Sequence, residues 1–360
     1  MRIARAAICV LGLAGGLCAQ RSPLPTDRLE KVRGALDAIY RMDFAAAEAR
    51  CRDMIAAWPD DPAGRVYLAR VYWQQLLVEE RALTVHRFVQ PDFFVAKPPK
   101  KLTADPAAVA RFRKASAEAI QQAEAAAQKH PADPAALFVL GAAYQNEASF
   151  LLAISREWWQ AFRAGSRSER AQRRLLNLDR GYSDALLVTG LFHYSVGALP
   201  WNLRWIPLLL GYHGGKSAGE REMEQAAAKG QIVADDARAL LAVLYAIDGR
   251  YEPALRKLEE LGAKYPENYL TQLDIAGIRL RRGNPAGAIE IYRNVLDRAY
   301  PGLERAIVCN RLGIAYREAK NYAESEKWLR ASLDDPTASA RTKDQARVEL
   351  ATTRDQGRRK

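Results

Sequence analysis

The segment LLLGYHGGKS at residues 208–217 combines glycines with a lysine and a serine, which are the residue types that bind phosphate groups. A phosphate-binding loop of the form G-x-x-x-x-G-K-[ST] ending at Ser217 needs glycine at position 210, where this chain has Leu210. Because that spacing decides which backbone N–H groups point at the phosphates, we interpret the segment as a helix-breaking turn. No nucleotide or other cofactor is expected.

Nucleophilic and metal-dependent chemistry are not indicated either. HYSVG at residues 193–197 has His193 where the motif G-x-S-x-G has its first glycine. The four histidines, His86, His130, His193 and His213, do not show the spacing of a zinc-binding helix, and no cysteine pair accompanies them. We therefore expect no metal site and no catalysis. The alternative, an enzyme with an unrecognised site, would rest on His193 or His213.

The elements that position these residues are expected to be helices. Alanine, leucine, arginine and glutamate dominate the chain, and all four favour helix. Hydrophobic residues make up 49% of the 360 residues and charged residues 27%, which is typical of a folded protein. Alternating runs of valine, isoleucine and threonine are nearly absent. The composition predicts an all-α fold.

A period of 34 residues runs through the C-terminal half. The step links Leu241 to Ile275 in one predicted helix and Ala254 to Ala288 in the next. A fixed period of this length with small residues at fixed positions indicates stacked helical hairpins.

These motifs resemble the tetratricopeptide repeat family over most of residues 28–340. The first helix of each unit in that family carries Leu-Gly or Leu-Ala and then tyrosine three residues later, as in Leu140, Gly141 and Tyr144 here. The resemblance implies an α-solenoid, a right-handed superhelix of helical hairpins. It also implies a concave groove that binds an extended peptide. The implied groove residues are Arg70, Trp73, Gln74, Phe138, Gln145, Asn146, Tyr194, Arg281, Asn310 and Arg317.

Three insertions interrupt the period, at residues 81–108, 155–170 and 198–222. The predicted layout places irregular units at 28–182, one unit with the third insertion at 183–234, regular units at 235–339, and a capping helix with a polar tail at 340–360. The third insertion is also similar to a segment of eukaryotic tetratricopeptide-like proteins linked to inclusion-body clearance and the outer mitochondrial membrane.

The N-terminus has the pattern of a secretory signal peptide. Arg2 and Arg5 precede an apolar stretch that ends in small residues near Ala19. We predict a signal peptide at residues 1–19, a linker at 20–27, and export to the periplasm or the extracellular space. Leu17 stands where a lipoprotein signal needs a small residue before Cys18, so lipid attachment is not expected.

The chain has a net charge of +12, with 54 basic and 42 acidic residues interspersed. This scatter does not indicate nucleic-acid binding, which needs a basic cluster. The leading hypothesis is an exported, non-catalytic scaffold that binds a protein or peptide in the cell envelope. The alternative is a peripheral membrane protein that docks through Trp201, Trp205 and Leu208, although packing against the array is favoured for these side chains. The oligomeric state is left open.

Overall fold

The computed structural model describes residues 21–79, 104–199, 214–298 and 300–358. These ranges contain α-helices and short helical turns and no strand, so the all-α prediction is confirmed. The predicted signal peptide, most of the first insertion, and Trp201, Trp205 and Leu208 of the third lie outside the described residues. The helices are α1 Thr26–Tyr40, α2 Phe44–Ala57, α3 Ala63–Glu79, α4 Pro106–Lys129, α5 Pro134–Phe150, α6 Trp158–Leu178, α7 Leu186–Ala198, α8 Lys216–Lys229, α9 Ala234–Ile247, α10 Tyr251–Lys264, α11 Tyr269–Arg281, α12 Pro285–Asp297, α13 Arg305–Glu318, α14 Tyr322–Asp334 and α15 Ala340–Arg358.

Consecutive helices pack as seven antiparallel hairpins, from α1–α2 to α13–α14, and α15 covers the last of them. Aspartate and asparagine begin many of these helices. Asp43, for example, accepts a hydrogen bond from the N–H of Ala46, and Asn284 accepts one from Gly287. Such caps satisfy backbone donors that a helix start leaves free.

The turn inside four of the hairpins has one repeated geometry. Met42, Gly249, Gly283 and Lys320 each adopt a positive φ between 61° and 81°. The residue that follows each of them donates its N–H to a carbonyl five residues back, which ends the first helix. Glycine fits this conformation, whereas methionine and lysine are strained there.

We therefore expect Lys320→Gly to stabilise the protein by about 0.5–1 kcal/mol, because it removes the strain of a side chain at φ 61°. The free energy of unfolding in urea measures the gain. Lys320→Ala is the control, since it retains a Cβ and should give no gain. An equal gain from alanine would contradict the explanation.

Small residues allow the two helices of a hairpin to approach closely. A Cβ added to Gly190 of α7 would lie 2.8 Å from the carbonyl oxygen of Gly219 in α8, and one added to Gly219 would lie 2.3 Å from that of Gly190. No side chain fits at such distances, so these two glycines allow direct helix–helix contact.

The array winds so tightly that the first hairpin contacts the fifth and the sixth. The ring of Tyr40 in α1 stacks on that of Tyr265, with centroids 5.0 Å apart, at the end of α10. Asn268, before α11, donates to the carbonyl of Tyr40 at 2.9 Å, and Arg41 pairs with Glu267 at 2.9 Å. The buried apolar core runs without a break from α1 to α11. We call this contact between α1 and residues 230–268 the seam.

Helix α5 and the π-helical turn after it, Pro134–Ser155, are long and apolar enough to cross a membrane by length and composition. Of the most apolar window in this stretch, 67% is buried inside the protein. A central helix that packs against α3, α4 and α6 has the same composition.

Candidate functional site

A largely buried ion pair, with side chains 18% and 11% exposed, lies on the inner face of the array, which the contacts at the seam bring into a closed turn. Arg70 in α3 pairs with Asp236 at the start of α9 at 2.5 Å, and the hydroxyl of Tyr40 donates to the same carboxylate at 2.5 Å. Burial would lower the pKa of the Arg70 guanidinium, but the charge of Asp236 outweighs this effect, and the pKa of Arg70 is raised. The pair joins residues 166 positions apart and closes the inner face.

A second polar network lies beside it at the seam. The hydroxyl oxygen of Tyr265 lies 2.8 Å from Oδ1 of Asp37 and 2.7 Å from Oδ2 of Asp235. Lys264 and Arg238 also bond to Asp235, at 2.6 and 2.9 Å. Burial would raise the pKa of Asp235, but the bonds from Lys264 and Tyr265 hold it below its ordinary value. Because the phenol has one proton, it serves only one of the two carboxylates at a time.

A polar cavity of about 460 Å³ opens at the seam next to this network. Arg33 and Asp37 face it from successive turns of α1. The guanidinium of Arg33 is exposed and has no hydrogen-bonded partner among the described residues. The cavity is lined by Arg33, Leu36, Asp37, Tyr40, Gly230, Gln231, Ile232, Ala234, Asp235 and Lys264.

Asp184 holds the loop that forms one wall of the cavity. Its Oδ1 accepts hydrogen bonds from the N–H groups of Ile232 at 2.7 Å and Val233 at 3.0 Å. Burial raises the pKa of this carboxyl, although these N–H groups act in the opposite direction. Its Oδ2 is buried and has no hydrogen-bond partner within the described part of the chain.

Asp184→Ala is expected to cost about 2–3 kcal/mol of unfolding free energy, because it leaves two buried N–H groups without an acceptor. Asp184→Asn keeps an acceptor oxygen and removes a buried charge, so it should stay within about 1 kcal/mol of wild type. Urea denaturation of wild type, Asp184→Ala and Asp184→Asn measures the two changes in unfolding free energy. Equal losses from the two substitutions would show that the loop does not depend on this acceptor.

Several residues implied to line a groove are buried, which corrects the expectation of an open surface for them. Phe138 is 2% exposed, and Asn146 is bonded to the carbonyl of Val66 at 3.0 Å. Tyr194 donates to Asp248 at 2.7 Å, and Asn310 is buried in α13. For Asn146 and Tyr194 the physical reason is contact between successive hairpins, because their partners Val66 and Asp248 lie on the neighbouring hairpin.

The other implied groove residues keep some exposure and are not brought together in one place. Trp73, Gln74 and Gln145 are half-buried on α3 and α5. Arg281 is exposed at the end of α11, and Arg317 bonds to Glu349 of the final helix at 2.5 Å. Their role in binding stays a prediction.

His193 forms an ion pair with Glu222. Its Nδ1 lies 3.0 Å from each carboxylate oxygen, joining α7 to α8. The hydrogen bond to Glu222 raises the pKa of His193 above its usual value of 6.5.

Within the described ranges, no group of three or more histidine, cysteine or acidic side chains is placed to hold a metal ion. Cys51 and Cys309 are buried free thiols, and burial raises the pKa of Cys51 to about 12.

The His193 pair predicts a pH-dependent stability. Because the folded state raises the pKa, the stabilisation is complete below about pH 6.5 and is lost as the pH rises through the raised value. We expect the free energy of unfolding to fall by about 1 kcal/mol between pH 6 and pH 8.5, and His193→Gln to remove this fall. His130→Gln, at an exposed position, is the control. A fall of the same size in His193→Gln would contradict the assignment.

The residues around the cavity carry no sequence signal that singles them out. Arg33 and Asp37 have the spacing of any solvated helix face, and Asp235 and Asp236 look like ordinary acids in a first helical turn. Only the folded chain places them opposite one another.

Comparisons with known proteins concern the architecture alone. No family model and no curated protein matches the sequence. Similar solved structures include a tetratricopeptide repeat protein from Parabacteroides merdae (13% identity, TM-score 0.37, covering 91% of this chain and 100% of that one). A human IFIT1 dimer with PPP-AAAA is also similar, with 12% identity and a TM-score of 0.39, covering 94% of this chain and 85% of that one. Yeast Tom70 has 11% identity and a TM-score of 0.30, covering 92% of this chain and 89% of that one. With its antiparallel hairpins and 34-residue period, the described chain has a tetratricopeptide-like fold.

Proposed function

We propose that the protein is a non-catalytic scaffold that binds a polar segment of a partner protein at the seam cavity. The observation that carries this proposal is a pair of incompletely hydrogen-bonded groups on α1. Arg33 offers free N–H donors, and Asp37 shares a single phenol proton with Asp235. A segment with both an acceptor and a donor, such as a peptide main chain with charged side chains, complements both groups.

The size and lining of the cavity support a polar ligand. A volume of about 460 Å³ lies within the range of ligand sites in proteins. Side chains of both charges line it, and so do a phenol and backbone from the 230–234 loop. An apolar ligand would leave these groups desolvated and unpaired, which is costly.

Selection from a phage-displayed linear peptide library tests the proposal. Peptides selected on the wild-type protein should bind at least tenfold more weakly to Arg33→Ala, because a charge-assisted hydrogen bond contributes about 1.5–3 kcal/mol. Lys31→Ala is the matched control, since it removes the same charge from an exposed position two residues away on the same helix. Selected peptides that bind Arg33→Ala as tightly as wild type would place the site elsewhere.

We also propose that the scaffold acts outside the cytoplasm, in the periplasm or extracellular space. The supporting observation is the signal-peptide pattern of residues 1–19. Fractionation of expressing cells, followed by N-terminal sequencing, should find mature protein that begins near Gln20. A product that retains Met1 in the cytoplasmic fraction would contradict export.

A further inference from the structure

The outward face of α6 carries a continuous stripe of exposed basic and apolar side chains. Its members recur at spacings of four, four, three, four and four residues, which places them on one side of a helix. At 1.5 Å per residue the stripe is about 28 Å long. It consists of Trp159, Arg163, Arg167, Arg170, Arg174 and Leu178, all exposed.

The two ends of the stripe are unusually exposed apolar side chains. Trp159 is 64% exposed and Leu178 is 47% exposed, and together with Val348 they are the exposed large hydrophobic residues of the described chain. The indole of Trp159 stacks on Phe162 at a centroid distance of 5.8 Å, and Phe162 packs against Phe192 at 6.1 Å. These ring contacts hold the tryptophan on the surface in a defined position.

The arginines of the stripe are not neutralised by ion pairs. Arg167, Arg170 and Arg174 bond to uncharged oxygens, of Tyr144, Ser166 and Pro131 respectively. Arg163 has no bonded partner in the described ranges. The hydroxyl of Tyr144 also donates to Glu124, which is therefore the acid nearest to Arg167 in this network.

Glu169, the sole acid of α6, is buried and bonds to Arg173, so the outward face presents positive charge alone. Some exposed arginines elsewhere do have carboxylate partners. Arg330 pairs with Glu326, and Arg347 pairs with Asp344.

We propose that this face of α6 docks on the surface of an anionic phospholipid bilayer. Arginines bind lipid phosphates through charge-assisted hydrogen bonds, and an exposed tryptophan and leucine insert at the headgroup level. The face is a single outward helix without a groove, which suits a flat surface rather than an extended peptide. Its two separate apolar side chains are too few for the apolar core of a protein interface. The proposal goes beyond peptide binding at the seam and does not depend on it.

Co-sedimentation with vesicles tests the proposal on the chain from residue 20 onward. Wild type should partition onto vesicles of 30% phosphatidylglycerol in phosphatidylcholine and not onto phosphatidylcholine alone. Each arginine near an anionic surface contributes about fivefold, so Arg163→Gln/Arg170→Gln/Arg174→Gln should lower the partition coefficient on the order of 100-fold. Trp159→Ser should lower it severalfold and leave the salt dependence of the remaining binding unchanged.

The matched control is Arg282→Gln/Arg330→Gln/Arg347→Gln, which removes the same charge from exposed arginines that already have carboxylate partners. It should retain most of the binding. Circular dichroism of each variant confirms that it is folded. Equal losses in the two triple variants, or no partitioning of the wild type, would overturn the proposal. Binding to a single-stranded oligonucleotide that depends on the same arginines, without vesicle binding, would assign the face to nucleic acid and overturn it as well.

Discussion

Arg70→Ala is expected to lower the free energy of unfolding by about 3–5 kcal/mol, which is the usual cost of removing one partner of a buried ion pair. The substitution leaves the carboxylate of Asp236 buried with the neutral hydroxyl of Tyr40 as its remaining partner. Urea denaturation followed by circular dichroism measures the loss.

The triple variant Tyr40→Phe/Arg70→Met/Asp236→Leu separates the loss of an ion pair from the loss of packing, and Tyr40→Phe removes the hydroxyl that would otherwise lose its acceptor. Replacing both charges with apolar side chains of similar size is often neutral, so this variant should be close to wild type in stability. If Arg70 instead lined an open, solvated groove, Arg70→Ala would change stability by less than about 0.5 kcal/mol. That small change would contradict the closed inner face.

Phe138→Ala is expected to cost about 3–5 kcal/mol, because it leaves a cavity in a packed interior. The side chain is 2% exposed and lies between α3, α7 and α9, among the residues around Arg70 and Asp236. The stability loss should appear in the absence of any ligand, and the melting temperature should fall with it.

Trp73→Ala provides the comparison for Phe138→Ala. Trp73 is half-buried on the same inner helix as Arg70, so its loss should cost less than that of Phe138. A groove residue would show the opposite behaviour: Phe138→Ala would retain full stability and lose peptide binding. Phe138 therefore distinguishes a core role from a binding role.

The hairpins themselves could be predicted from the sequence because their contacts are local. Gly141 of the Leu-Gly motif and Gly190 of the next unit are glycines for a reason visible within one hairpin, namely the close approach of its two helices. The all-α solenoid followed from such motifs.

The winding of the array could not be predicted in the same way. Whether a solenoid is open or closed depends on small rotations between successive hairpins, which add up over the chain. Arg70 and Asp236 are 166 residues apart, and Asp37 and Tyr265 are 228 apart. No periodicity links them, and an arginine or phenylalanine at an inner position is compatible with either form. The open groove was the family's expectation, and the closed turn is a property of this chain.

The cavity at the seam could not be predicted from the sequence either, because its walls come from residues far apart along the chain. Arg33 and Asp37 look like a solvated helix face until α9 and the end of α10 lie opposite them. The stripe on α6 is different, because its arginines recur at helical spacing in the sequence itself. The structure adds that Trp159 and Leu178 stand exposed at its ends.

A double-mutant cycle between Arg70 and Asp236 tests the closed turn most directly. Unfolding free energies of wild type, Arg70→Ala, Asp236→Ala and the double variant give the coupling between the two side chains. Residues in contact couple by about 0.5–3 kcal/mol, whereas distant sites add within about 0.3–0.5 kcal/mol. The structure predicts a coupling of about 1.5–3 kcal/mol across 166 residues of sequence. A coupling within error of zero would mean that α3 and α9 do not meet, and the array would then be open.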